Sequence, residues 1–164
     1  MLHLGVDADT GQIVAAALTS PETDDAAQVG PLLEQIGGTL ASFTADGAYD
    51  QESVYDAVLQ RHPDVAVIIP PRSDAVLSET AATTPTQRDG HLQLITEHGR
   101  MAWQKASGYN KRVRAEAAIS RYKRVIGAAL RSRTDQRRAS EVAIAVEVLN
   151  RMLALGRPNY VRTA

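Results

Sequence analysis

Between the runs LASFTAD (residues 40–46) and DVAVIIPP (64–71) lies the segment YDQESVYDAVLQRH (49–62). Both runs are short and apolar, and both end at Asp, Gly or Pro, as strands do. In the segment between them Val54, Tyr55, Val58 and Leu59 recur at helical spacing. Two strands joined through a helix run parallel, because the crossover returns the chain to the end from which it left. No other stretch of the chain restricts the fold as strongly. Upstream, HLGV, DADTG and QIVAAALT read as strand, turn and strand, an antiparallel hairpin. Residues 20–36 place acids first and then Val29, Leu32, Leu33 and Ile36 at helical spacing, with Pro31 at a kink or a helix start. Residues 72–86 form a polar loop, and residues 86–107 are helical in part, with Gly90 and Gly99 as breaks. Residues 110–131 and 138–156 predict two long helices. The order β-β-α-β-α-β-α-α predicts an α/β fold with a mixed sheet flanked by helices.

With 164 residues, 44% of them apolar, the chain is long enough to bury one core. It has no cysteine, which excludes disulfides and thiolate metal sites. His3, His62, His91 and His98 have no zinc-like spacing. No apolar run is long enough for a membrane span and no leader pattern opens the sequence, so a cytoplasmic protein without a membrane partner is expected. The net charge of −1 hides an asymmetry: residues 1–99 carry 3 basic and 15 acidic side chains, residues 100–164 carry 15 and 4. Such a split points to nucleic acid, unless the two halves neutralise each other across an internal interface.

Within YNKRVRAEAAISRYKRVIG (109–127), Glu116 is the one acid. Lys111, Arg112 and Arg114 precede it, and Arg121, Lys123 and Arg124 follow it. On an ideal helix with Tyr109 at zero, Arg112, Lys123 and Glu116 fall at roughly 300°, 320° and 340°. Ala115, Ala118, Ile119, Tyr122, Val125, Ile126 and Ala129 gather near roughly 220°, the expected core face. Glu116 then lies at the border of core and solvent. Taken alone, Arg112 and Glu116 are equally well an ordinary i,i+4 ion pair.

The spacing Tyr109-x2-Arg112-x3-Glu116-x6-Lys123 resembles the signature of the DDE transposases of bacterial insertion sequences. FTADGAYD resembles the segment around that family's second catalytic aspartate, which maps to Asp46, and LHLGVDADTGQIVAAALT its hairpin after the first strand. The segments TQRDGHLQLITEHGRMAWQKASGYNKR and VLNRMLALG are similar as well. The resemblance implies an RNase H-like catalytic domain over residues 1–158, followed by a tail at 159–164. It implies metal-dependent DNA strand cleavage and transfer at transposon ends, with Asp46 and Glu116 as catalytic residues and ligands of Mg²⁺ or Mn²⁺ in a two-metal site. It implies DNA contacts by Arg112 and Lys123, with Tyr109 nearby and Lys111, Arg114, Arg121 and Arg124 as more generic phosphate contacts. The protein would then be bacterial, cytoplasmic, and nucleoid-associated when bound to DNA.

Phosphodiester chemistry of this kind uses divalent cations held by carboxylate oxygens. Asp46 stands at a strand end before Gly47, which permits close approach; it could instead be a turn acid, with Asp50 capping the following helix. Trp103 could stack on a base, although a lone Trp is more often core. One departure from the family concerns the first aspartate. Asp7 and Asp9 lie in a turn, and two strands precede the first helix where the fold needs three. The expectation is the C-terminal part of a longer catalytic domain. It would lack the first strand, expose a sheet edge, hold an incomplete metal site and be inactive without a missing N-terminal part or another transposase chain. The alternative is a catalytically dead DNA-binding remnant or an inhibitor of an intact transposase.

Overall fold

A computed structural model describes residues 1–156; the expected tail at 159–164 lies outside them. The hairpin is formed by β1 (Leu2–Val6) and β2 (Ile13–Leu18), paired antiparallel with Leu2 opposite Leu18. Asp7 shapes its turn, accepting from the backbone N–H of Asp9 at 2.8 Å and the hydroxyl of Thr10 at 2.9 Å. A 3-10 turn and the short α1 (Val29–Glu34) follow, with Pro31 in the first helical turn, where its missing N–H costs nothing. Then come β3 (Ser42–Thr44), α2 (Glu52–Arg61) and β4 (Ala66–Ile68). β3 and β4 pair parallel, Phe43 opposite Val67, as the crossover requires.

Helices α3 (Gln87–His98) and α4 (Arg100–Ser107) are separated at Gly99, whose φ of 82° a side chain would disfavour. Gly90 is no break. Thr86 and Asp89 form a capping box that starts α3 ahead of it. Asp89 is fully buried and also accepts from the N–H and hydroxyl of Ser78 at 2.7 and 2.8 Å, which ties down the 72–86 loop. These donors hold its carboxyl far below the usual range. The chain ends in α5 (Val113–Val125) and α6 (Asp135–Leu155). No helix among the described residues is long and apolar enough to cross a membrane.

The structure is a mixture of helices and small sheets, but the expected single mixed sheet is divided. Among the described residues β1–β2 and β3–β4 share no hydrogen-bonded strand neighbour. The edges turned away from β1 and from β3 are sealed by side-chain amides acting as a neighbouring strand would. Asn150 bonds both the N–H and the carbonyl of Ile13, at 2.9 and 2.8 Å, and Gln35 accepts from Ala16. Gln87 bonds Val67 N–H and Val65 carbonyl at 2.8 and 2.9 Å, and His91 donates to the Val67 carbonyl. The opposite edges, on β1 and β3, have no such partner among the described residues.

Two apolar clusters form. One packs Val29, Leu33, Val54, Val58, Val65, Val67 and Ile69 between α1, α2 and β4. The other packs Ile13, Ala118, Tyr122, Ala145 and Leu149 between the hairpin, α5 and α6. The core stripe of α5 is narrower than its spacing predicts: Ala118 and Tyr122 are buried, while Ile119 and Val125 are 40% and 44% exposed. The helix meets the narrow hairpin rather than a broad sheet, so only the residues above the hairpin are covered.

Candidate active site

Asp46 follows β3 and begins the 3-10 turn Gly47–Tyr49, with its Oδ1 accepting from the N–H of Ala48 at 3.0 Å. The turn lies close against the β4 exit. A Cβ on Gly47 would stand 3.3 Å from the carbonyl oxygen of Pro70, a tighter approach than most side chains tolerate. Asp46 is thus a capping acid, but only with one of its oxygens.

The other oxygen, Oδ2, accepts from Nη2 of Arg112 at 3.2 Å, a bond between residues 66 positions apart. Nη1 of the same guanidinium donates to Oε1 of Glu116. Asp46 and Glu116 therefore converge on one cationic group and are separated only by its breadth and two hydrogen bonds. The i,i+4 pair expected from local spacing is present and is one half of a three-residue cluster. The acids are half-exposed, 42% and 56%, and the Arg112 side chain is 30% exposed.

Tyr109 and Arg112 lie in a 3-10 turn that leads into α5. Trp103 is fully buried; its Nε1 donates to Nδ1 of His91 at 3.0 Å, and its ring lies 5.3 Å from that of Tyr109. Trp103 supports Tyr109 from within the fold and offers no face to a base. Burial pushes the Tyr109 phenol up; Asp46 and Glu116 add to the shift and Arg112 opposes it. Burial also works against the charge of Arg112, but Tyr109, Glu116 and Asp46 outweigh it, and the guanidinium is held above its ordinary range.

The remaining basic residues divide. Arg114, Lys123 and Arg124 are exposed and have no ion-pair partner among the described residues. Lys123 lies two helical turns beyond Glu116 on the same stripe. Lys111 pairs with Asp9 at 3.0 Å, both side chains well exposed. Arg121, expected on the outer face, folds back instead, and its Nη2 donates to the carbonyl of Gly11 at 3.2 Å. Asp50 is not the helix cap. Its buried carboxylate is gripped by Arg88 at 2.8 Å and accepts from the N–H of Arg72 at 3.0 Å, while α2 begins after Gln51 without a side-chain cap. Arg72 also reaches back to the carbonyls of Gly47 and Ala48. Asp50, Arg72 and Arg88 thus brace the turn that carries Asp46. Their sequence separations left no local signal.

Two carboxylates brought to one point suit a hard divalent cation that takes its other ligands from water or phosphate. Among the described residues no group of three or more Asp, Glu, His or Cys gathers at this point or elsewhere. Asp7 is engaged in its own turn, where the Asp9 N–H and the Thr10 hydroxyl draw its carboxyl below the usual range, and Asp9 faces Lys111. No solved structure matches the chain. Residues 1–152 match the transposase DDE domain. That match covers nearly all of the sequence and contains the hairpin, the Asp46 turn and the Arg112–Glu116 cluster; the chain belongs to the transposase DDE domain family.

Proposed function

We propose that the chain is an RNase H-like catalytic portion of a bacterial insertion-sequence transposase and acts on the phosphodiester backbone of DNA. The observation that carries this reading is the meeting of Asp46 and Glu116 on Arg112. Two carboxylates, one on the turn after β3 and one on a basic helix, supply part of the oxygen ligand set that a metal-dependent reaction on a polyanion uses. A divalent cation held by Asp46 and Glu116 would help to activate an oxygen nucleophile and to stabilise the leaving oxygen. The chain's own residues do the rest. Asp46 and Glu116 offer hard oxygen donors at one place. Arg112 and Lys123 carry positive charge along the same stripe for DNA phosphates, Tyr109 backs Arg112, and Arg114 and Arg124 add contacts that do not depend on sequence.

A second reading is favoured by the carboxylate count. With Asp7 engaged in its turn, the isolated chain binds DNA without cutting it and competes with an intact transposase. Nicking of a supercoiled plasmid in Mg²⁺ or Mn²⁺ separates the two. The 164-residue chain is expected to leave the plasmid intact. An N-terminal extension bearing a strand with an aspartate is expected to restore cutting, and Asp46→Ala or Glu116→Ala is then expected to abolish it. Nicking by the unextended chain that disappears in Asp7→Ala would overturn the incomplete-site reading. Absence of DNA binding at low salt would sink both.

A further inference from the structure

Arg112 lies between Asp46 and Glu116 and presents one guanidinium charge to both carboxylates. Its two terminal nitrogens are divided between them, one to each carboxylate. It is less exposed than either acid, so it is the inner member of the cluster and the acids close around it. A guanidinium keeps its charge at any physiological pH, so this contact is released by displacement and not by deprotonation.

We propose that Arg112 is a stand-in cation. It holds Asp46 and Glu116 together while no divalent ion is bound, and a divalent ion competes with it for the same oxygens. The inference rests on the reading of these two acids as a metal-binding pair. Exposed ion pairs of this geometry are weak, so a divalent ion displaces the guanidinium readily. Once displaced, the planar fork is free on the same stripe as Lys123, and a phosphate is its matching partner. Arg112 then couples the two ligands: the ion frees Arg112 for DNA, and DNA that takes Arg112 vacates the carboxylates for the ion. Such coupling is reciprocal.

The test uses the full chain and Mn²⁺ alone, followed by the electron paramagnetic resonance of the free ion. Arg112→Gln is expected to bind Mn²⁺ about tenfold more tightly than wild type, since a competitor occupying most molecules has been removed. Equal or weaker binding would overturn the proposal and make Arg112 an ordinary brace. Adding Asp46→Asn and Glu116→Gln to Arg112→Gln is expected to abolish binding. Binding that survives would overturn the metal-pair reading itself, and the proposal with it. Wild type supplies a measurement that does not depend on a variant folding. Nitrogen-edited spectra should show Arg112 η protons held in slow rotation, released as Mg²⁺ is titrated in; no change would refute displacement. Finally, a duplex oligonucleotide is expected to raise Mn²⁺ affinity by about fivefold or more in wild type and not in Arg112→Gln. Equal coupling in both would mean that the ion bridges directly to phosphate, against the proposal.

Discussion

Replacing Asp50 by alanine removes the acceptor that anchors the end of the Asp46 turn. The carboxylate side chain is fully buried, receives Arg88 Nε at 2.8 Å and Nη2 at 3.1 Å, and receives the backbone N–H of Arg72 at 3.0 Å. Breaking a buried ion pair by deleting one partner costs about 3–5 kcal/mol. Arg88 is 27% exposed and regains part of its hydration, which lowers the figure. The Arg72 N–H, left without its acceptor, adds about 1 kcal/mol or more. A net loss of about 3 kcal/mol follows, and with a slope of about 2 kcal/mol per molar urea the midpoint falls by about 1.5 M. Asp46→Asn is the control from the other end of the same turn. It keeps an acceptor for Ala48 and loses one exposed pair, so it costs under about 1 kcal/mol. Urea unfolding followed by the fluorescence of Trp103, the single tryptophan and fully buried, measures both. A midpoint for Asp50→Ala within about 0.3 M of wild type, or an equal loss in Asp46→Asn, would refute the division of labour between the two acids.

DNA affinity should fall steeply with salt, and Arg112→Ala with Lys123→Ala should reduce the slope of log K against log salt by about two, as loss of two phosphate contacts demands. Fluorescence anisotropy on a duplex at several salt concentrations checks this, and the same pair of changes at Arg157 and Arg162 should do less. His3 is buried beside Thr19; burial lowers its pKa below 6.5, with Asp25 pulling the other way. The unfolded chain therefore takes up a proton that the folded one resists. Stability is fully present above 6.5 and is lost as the pH falls below it toward the folded value, with a slope of at most about 1.4 kcal/mol per pH unit. Urea midpoints across that range, with His3→Gln removing the dependence, are the measurement, and a flat wild-type profile would contradict it.

What was legible in the sequence was local. The Asp7 turn, the helix inside the crossover from β3 to β4, the Gly99 break and the i,i+4 pairing of Arg112 with Glu116 each depend on residues a few positions apart, and periodicity and turn chemistry report such things. The helix expected over 110–131 nevertheless spans only Val113–Val125, with Arg112 in the 3-10 turn before it. Asp50 read as a cap because its partner Arg88 is 38 positions away. Gly90 read as a break because glycine disfavours helix, but the Thr86–Asp89 capping box starts the helix before it. Arg121 read as solvent-facing because helical spacing does not show the hairpin turn that receives it. Ile119 and Val125 read as core because hydrophobic pattern gives the side of a helix and not the width of what covers it.

Asp46 is carried by the strand and turn that pack with α2 and β4, whereas Glu116 is carried by the helix that packs with the hairpin and α6. The two acids thus rest on different apolar clusters, and amide hydrogen exchange is expected to resolve local opening of each below the global transition. Local opening of either cluster alone would part the two carboxylates. The meeting of Asp46 and Glu116 on Arg112 is then expected to be lost on mild destabilisation ahead of most secondary structure. Substitutions deep in either apolar cluster, far from any charged group, should loosen the Asp46–Arg112 contact in proportion to the local opening that they allow.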